Sequence, residues 1–345
     1  MNLRVEQIAK SEVLEAAFEF VFHKRKARSA DDDIWHVAFH WPEVKQKLIE
    51  KLTSGHYHFS PMRYVKLESG GMVGLWSAED AILLKAIAMQ VEPLLRKAFD
   101  LSSVAHIKDG GGLTGAIKKA KAFCRKGNPF IYKTDIADFY RSMDHDILLS
   151  KLSRVTNDAR MMDLFRAYCE RLEIVNGQYQ LVKGTGIPKG CSLSPLLGAI
   201  YLSEVDGLGK AHRVKYVRYM DDLLFVSDKR WRIKRVIRKV LEGVTQLKQS
   251  LSREKTHIGR ARKGFDWLGF HFDVVSVKVA LRTILNHLNR KARLEEQGAA
   301  KSRIEQYCDG WMRWCQSMSG TVYIEGGLIC VREGGCNTPL PVAWS

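Results

Sequence analysis

No uninterrupted run of about 20 apolar residues occurs anywhere in this chain, and a membrane-spanning helix of ordinary length needs one. The opening stretch, MNLRVEQIAKSEVLEAAF, has acidic residues where a signal peptide needs an unbroken apolar segment. A soluble, cytoplasmic protein with no membrane attachment is therefore expected. Cysteine is sparse and odd in number, seven residues without a CxxC pair, which argues against a disulfide framework. Cys308, Cys315, Cys330 and Cys336 lack a nearby histidine, so reduced, mostly buried thiols are favoured over a structural zinc site. There is no internal repeat, low-complexity tract or long Pro/Ser linker, so domains should be knitted together rather than strung on tethers.

What is present is an ordinary apolar fraction, 46% of 345 residues with 10% aromatic, enough for two or three subdomains, so that disorder is not the default. The charge is less ordinary. Lys and Arg number 55 against 38 Asp and Glu, a formal charge of +17. Such an excess attracts polyanions, of which nucleic acid is the commonest large one and an acidic membrane surface the competitor.

Apolar spacing predicts helices in SEVLEAAFEFVF and PEVKQKLIEKLTSG, with Gly55 as a stop, and a hairpin in YVKLESGGMVGLW turning at Gly70-Gly71. SAEDAILLKAIAMQVEPLLRKAF reads as a helix with Ser77 as N-cap and Asp80 at the capping-box position. Gly110, Gly111 and Gly112 precede a basic helix, as either a plain turn or a cradle for a phosphate backbone. PFIYKTDIADFY is a buried strand ending at acidic residues, followed by a helix from about Asp144, read as continuous over 145–173, and a hairpin over 174–186. Then come a helix beginning SPLLGAIYLSEVD and the hairpin VKYVRYMDDLLFVSD. Residues 229–263, with thirteen basic residues and two acidic, read as an amphipathic helix with a basic face. FDWLGFHFD reads as a short strand pair. Two or more helices follow, then a tail rich in glycine and β-branched residues.

Each carboxylate at a strand end has a cheap explanation alone: Asp135 and Asp138 could cap a turn, and Asp221-Asp222 could sit at a hairpin tip. If the two strands are sheet neighbours, however, three carboxylates converge on one edge and require a counter-charge. A pair of divalent cations supplies it, and carboxylate oxygens suit Mg²⁺. Two such metals are suited to in-line phosphoryl transfer. In that arrangement Asp135 and Asp221 bridge the metals and Asp222 supports the pair. A basic protein with such a site is most economically a polymerase or nuclease acting on nucleic acid.

YMDD between apolar strands resembles the signature of reverse transcriptases, and TDIADFYRSMDH is similar to their first catalytic motif. GIPKGCSLSPLLGAIYL resembles the family's nucleotide-binding turn and helix, LSREKT its next motif with Lys255, and FDWLGFHF its primer-grip hairpin. The five occur in the family's order over roughly residues 55–320. The compact length makes the chain most similar to bacterial enzymes related to those of group II introns, including stand-alone ones. The resemblance implies an α+β, right-hand polymerase: an N-terminal helical extension (1–60), fingers (61–134), a palm with an antiparallel sheet (135–275), a helical thumb (276–320) and a C-terminal tail (321–345). The motifs fall at 135–146, 186–205, 214–227, 250–256 and 264–272.

The resemblance also assigns roles. Asp135, Asp221 and Asp222 are the expected catalytic residues, and Asp135, Ile136, Asp221 and Asp222 the expected holders of two Mg²⁺ ions, with Mn²⁺ as substitute. Tyr140 falls where the family places a steric gate against the ribose 2′-hydroxyl, so deoxynucleotides are the expected substrate. Lys189, Gly190 and Lys255 are expected at the nucleotide, Lys255 to neutralise triphosphate or to protonate departing pyrophosphate. Tyr219, Met220, Trp267 and Gly269 are expected to touch template or primer. The basic helix and C-terminal helices should bind phosphates without sequence preference.

Two departures stand out. Lys189 replaces the family's usual glutamine, and SGGMVGLWS lacks a frequent arginine, which leaves Lys66 as a candidate for triphosphate contact. RNA-templated DNA synthesis is the leading expectation, with an RNA template, a DNA primer and product, dNTPs and a dedicated noncoding RNA as partners. Homo- or hetero-oligomers are both compatible with it. The biological role expected is antiviral defence or a domesticated retroelement. The competing readings are an RNA-binding, maturase-like scaffold, a DNA-repair polymerase and a two-metal nuclease, the last lacking a second acidic cluster.

Overall fold

The computed structural model describes residues 2–66, 72–125 and 127–319, with strands at 321–325, 328–333 and 336–339. In chain order the strands are β1 (Met62–Lys66), β2 (Met72–Leu75), β3 (Phe130–Asp135), β4 (Leu172–Val175), β5 (Gln178–Leu181), β6 (Lys215–Tyr219), β7 (Asp222–Ser227), β8 (His257–Arg260), β9 (Phe265–Trp267), β10 (Phe270–Phe272), β11 (Val277–Val279), β12 (Thr321–Glu325), β13 (Leu328–Glu333) and β14 (Cys336–Pro339). The chain divides into two compact units, and each is discontinuous in sequence. One comprises residues 1–102, 136–207 and 240–251, the other residues 103–135, 208–239 and 252–345. The α+β expectation is met by this mixture of helices and mostly antiparallel sheets.

The first unit is mainly helical. Helix Ala78–Ala98 starts where predicted, with the Ser77 hydroxyl accepting the Asp80 amide, a cap that contributes about 1 kcal/mol. The Asp80 carboxylate accepts hydrogen bonds from the Tyr57 and Ser77 hydroxyls at 2.7 Å and from the Ser60 amide at 3.0 Å. The helix packs against helix Ser11–Arg25. Its Ile82, Leu83, Leu84, Ile87, Val91 and Leu95 are buried. The unit also contains a four-stranded sheet of order β2-β1-β4-β5. β1 and β2 form the predicted hairpin, whose Gly70-Gly71 turn lies outside the described residues.

Three boundaries in this unit differ from the expectation. The stretch expected as one helix over 145–173 is two, His145–Leu152 and Ala159–Cys169, because Asp158 caps a new start by accepting the amides of Arg160 and Met161. The hairpin expected over 174–186 is β4–β5, placed earlier because Asn176 and Gly177, both at positive φ (52° and 80°), form its turn; such a pair fits a two-residue hairpin whose twist matches the strands. SPLLGAIYLSEVD breaks at Leu202 into helices Ser194–Tyr201 and Ser203–Asp206.

The second unit is built on a sheet of order β6-β7-β3-β8 with every neighbour antiparallel. Helix Gly112–Cys124 packs on β6 and β7. Ile117, Ala120 and Cys124 share a core with Ile131, Val217, Leu224 and Val226, extended by Trp267, Phe270 and Phe272 of the antiparallel β9–β10 pair and by Ile284 and Cys315. β11 completes that three-stranded sheet. The basic helix spans Arg230–Gln246 rather than all of 229–263, since Lys248 takes a positive φ of 53° and β8 follows. The tail, expected only as glycine-rich and β-branched, forms the sheet β12-β13-β14. Cys124, Cys169, Cys191, Cys308 and Cys315 are free thiols, the first two and Cys315 buried.

Candidate metal and nucleotide sites

Register places the acidic site. β3 pairs with β7 so that Asp135 stands opposite Asp222, Lys133 opposite Leu224 and Ile131 opposite Val226. Side chains alternate along a strand, so Asp135 and Asp222 emerge on the same face as the apolar Ile131, Leu224 and Val226, at the end of that core. Tyr219 pairs with Asp222 across the β6–β7 hairpin, which leaves Met220 and Asp221 as its turn. The carboxylates of Asp135, Asp221 and Asp222 come together with oxygens within 4.8 Å of one another, the one such cluster among the described residues.

The electrostatics follow from that crowding. Burial pushes Asp222 up to about 7, and the charges of Asp135 and Asp221 add to the shift. Asp135 is also raised, by burial first, although Lys255 works the other way. The Lys255 ammonium donates to Asp135 Oδ2 at 3.0 Å. Burial opposes its charge, but the Asp135 hydrogen bond and the charges of Asp135, Asp221 and Asp222 hold it above its ordinary value. The Asp135 carbonyl accepts the Ser252 amide at 2.8 Å, which brings the LSREKT segment alongside β3.

Lys133 was missed in the sequence. It lies two residues before Asp135 on the same face and donates to the Asp266 carbonyl of β9, while the Asp266 carboxylate bonds His271 Nδ1 at 2.7 Å. Alternation from Asp135 was the signal that could have found it. Trp267, expected to touch primer or template, is instead a fully buried core side chain. It is followed by a turn at Leu268 and Gly269, both at positive φ (50° and 84°). The Gly269 carbonyl accepts from Thr283 Oγ1 at 2.9 Å and the Ala280 amide at 3.0 Å.

Tyr140, Lys189 and Gly190 are assembled in the first unit, together with Ile136, whose hydrocarbon side chain carries no ligand atom, so that only its backbone carbonyl could serve. Tyr140 is 8% exposed and packs at a tilt against Phe139, ring centroids 5.1 Å apart. Its carbonyl accepts the Ile187 amide at 2.8 Å, and the Lys189 ammonium lies 5.8 Å from its ring centroid. Gly190, at φ 103°, abuts β2 so closely that a Cβ would come within 2.3 Å of Val73 Cγ1. The Lys189 carbonyl accepts the Gly74 amide at 3.0 Å, so the nucleotide-motif turn is docked on the hairpin. A cleft of about 1270 Å³ opens there, bordered by Lys24, Arg63, Lys85, Trp76, Tyr179 and Gly190. Arg63 is a cation of the β1–β2 hairpin that the sequence reading passed over, whereas the Lys66 side chain lies outside the described ones.

The described helices include none long and apolar enough to cross a membrane. The chain is 27% identical over 269 residues to Protein YkfC of Escherichia coli (strain K12), covering 65% of this chain and 70% of that protein. It is 27% identical over 182 residues to the group II intron-encoded protein LtrA of Lactococcus lactis subsp. cremoris, covering 51% of this chain and only 30% of LtrA. Its fold is similar to that of an apo telomerase from Candida tropicalis truncated from the C-terminal domain, at a TM-score of 0.50 and 14% identity over 70% of this chain and 60% of that one. Residues 71–272 match the family described as Reverse transcriptase (RNA-dependent DNA polymerase), a span that contains Asp135, Tyr140, Lys189, Gly190, Asp221, Asp222 and Lys255. The chain therefore belongs to the reverse transcriptase family of RNA-dependent DNA polymerases, with the right-hand polymerase fold that membership carries.

Proposed function

We propose that the chain extends a primer with deoxynucleotides on an RNA template. The observation that carries the reading is the convergence of Asp135, Asp221 and Asp222 within 4.8 Å at one end of β3 and β7. Three carboxylates this close, with Asp222 displaced to about 7, are too costly to leave uncompensated, and hard divalent cations such as Mg²⁺ suit their oxygens. Asp135, Asp221 and Asp222 would hold the metal, with Ile136 adding its carbonyl. Bound there, divalent cations supply Lewis-acid activation of an attacking hydroxyl and stabilisation of a leaving oxygen.

The chain's own residues do the rest. Lys255, bonded to Asp135, carries a proton and a positive charge at the carboxylates, suited to a triphosphate or to departing pyrophosphate. Tyr140 sets a bulky wall against a 2′-hydroxyl. Lys189 and the cations Lys24, Arg63 and Lys85 of the neighbouring cleft offer attraction to phosphates independent of base identity. The fingers, palm and thumb boundaries expected from sequence belong to the same proposal.

The finer reading is a bacterial enzyme copying a dedicated noncoding RNA, in antiviral defence or as a domesticated retroelement. Likeness to an intron-encoded protein supports the retroelement origin, and the +17 charge supports a bound RNA. The test is Mg²⁺-dependent incorporation of dNTPs on a primed RNA, with Asp221→Ala and Asp222→Ala abolishing it. Undiminished synthesis in those variants refutes the assignment. Salt-sensitive RNA binding without incorporation would favour a scaffold instead, and sequencing the nucleic acid that copurifies identifies the template.

A further inference from the structure

The two-residue turn that presents the acidic pair is an improbable one for its sequence. Met220 adopts φ 55°, a left-handed conformation that costs a non-glycine residue about 1 kcal/mol or more and persists only where the surroundings enforce it. Two side chains enforce it here, one on each polar group of the Met220 backbone. The Met220 amide donates to His106 Nδ1 at 2.9 Å, and its carbonyl accepts from Arg218 Nη1 at 2.9 Å. Arg218 is fully buried. Because an N–H is the donor, Nδ1 of His106 must be the unprotonated ring nitrogen. The imidazole also meets the Tyr219 ring edge-on, centroids 6.0 Å apart.

His106 reaches the turn on a dedicated support. Val104 bridges Arg218 in parallel at the free side of β6, with the Arg218 amide donating to the Ser103 carbonyl at 2.9 Å and the Ala105 amide to the Arg218 carbonyl at 2.8 Å. The glycine run, left open in the sequence between a turn and a phosphate cradle, braces this segment. The Gly112 amide donates to the Ala105 carbonyl at 2.8 Å. Gly110 packs so tightly that a Cβ would lie 2.4 Å from the Val104 oxygen and 2.7 Å from that of Ala105.

We propose that His106 is a positioning residue for the catalytic carboxylates: its Nδ1 lone pair, acting with the Arg218 guanidinium, locks Met220 in the conformation that delivers Asp221 and Asp222 to Asp135. Its consequence for catalysis rests on the polymerase reading; its consequence for the turn does not. A displacement of about 1 Å among reacting groups lowers turnover by about a hundredfold, so a side chain that touches no substrate can govern the rate through this turn.

The experiment compares His106→Ala, His106→Asn and His106→Gln with the wild type. Asparagine places an acceptor oxygen where Nδ1 stands, whereas glutamine places it nearer the Nε2 position. Hydrogen exchange of the peptide covering residues 216–225 is followed in the metal-free protein, alongside kcat, KM for dNTP and the Mg²⁺ concentration at half-maximal incorporation. Faster exchange around Met220, a kcat lower by about tenfold, in line with one lost hydrogen bond to a half-buried amide, and a raised Mg²⁺ requirement are expected for Ala and Gln. Near-wild-type behaviour is expected for Asn. Unchanged exchange in His106→Ala, or Asn and Gln behaving alike, overturns the proposal. If Ala fails to fold, the Asn and Gln pair decides. A wild type that incorporates nothing would defeat the polymerase reading, while the exchange measurement still decides the role of His106.

Discussion

Asp135 and Asp222 face each other as a directly opposed pair, the last residue of β3 against the first of β7. Like charges opposed across antiparallel strands are destabilising, and burial here pushes Asp222 up to about 7. Function and metal-free stability should therefore pull in opposite directions at this position. Asp222→Asn keeps the shape and removes one charge. Melting in EDTA should rise by a few degrees, corresponding to about 1 kcal/mol, while primer extension falls by at least about a thousandfold. A lower melting temperature would show that the pair is not under electrostatic tension.

Lys255 is the only cation bonded to Asp135 among the described residues. Lys255→Met should leave the acidic cluster more dependent on metal. Since the ammonium is largely exposed, the loss of stability in EDTA should stay within about 1 kcal/mol. Saturating Mg²⁺ should raise the melting temperature of the variant by more than that of the wild type. Equal metal-induced shifts would remove Lys255 from the electrostatic account of the site.

Much of this site was legible because its determinants are local. Asp135 closes a buried strand and Asp221-Asp222 interrupt an apolar hairpin, so alternation and turn chemistry locate them before the sheet is known. What joins them is the pairing of β3 with β7 across almost 90 residues, and no local pattern specifies that register. His106 was invisible for the same reason: its partner is a backbone amide more than a hundred positions away. Trp267 was misassigned because a motif gives order along the chain but not which way a ring faces. The helix breaks near Asp158 and Leu202 were missed because apolar periodicity persists through them, while capping and backbone angles decide where each helix stops.

Tyr140 is both a proposed gate and a packed core ring, which makes its replacement costly in two separable ways. The helix Ser194–Tyr201 approaches it at Gly198, where a Cβ would lie 3.3 Å from the Tyr140 hydroxyl. Tyr140→Val should lower stability by about 2–3 kcal/mol, as expected for deleting a buried ring. It should also reduce discrimination between dCTP and CTP, compared as kcat/KM, by about tenfold or more. Lost stability with unchanged discrimination would leave Tyr140 a core residue only.

A pH effect should also arise at His287, on helix Leu281–Glu296 where it faces helix Lys301–Ser319. Its buried ring stacks on Trp311 at 4.0 Å, and Nδ1 bonds the Tyr307 hydroxyl at 3.1 Å. Burial, with the charge of Lys291 added, lowers its pKa to about 4. The unfolded chain binds this proton near pH 6.5 and the folded protein only near 4, so the neutral ring's contribution is complete above 6.5 and is lost as pH falls between them. The loss amounts to as much as about 3 kcal/mol. Denaturant midpoints of the wild type should fall between pH 7 and pH 5 by more than those of His287→Phe, which preserves the stacking and removes the titration. Parallel pH profiles for the two proteins would mean that His287 takes up its proton at the same pH folded as unfolded.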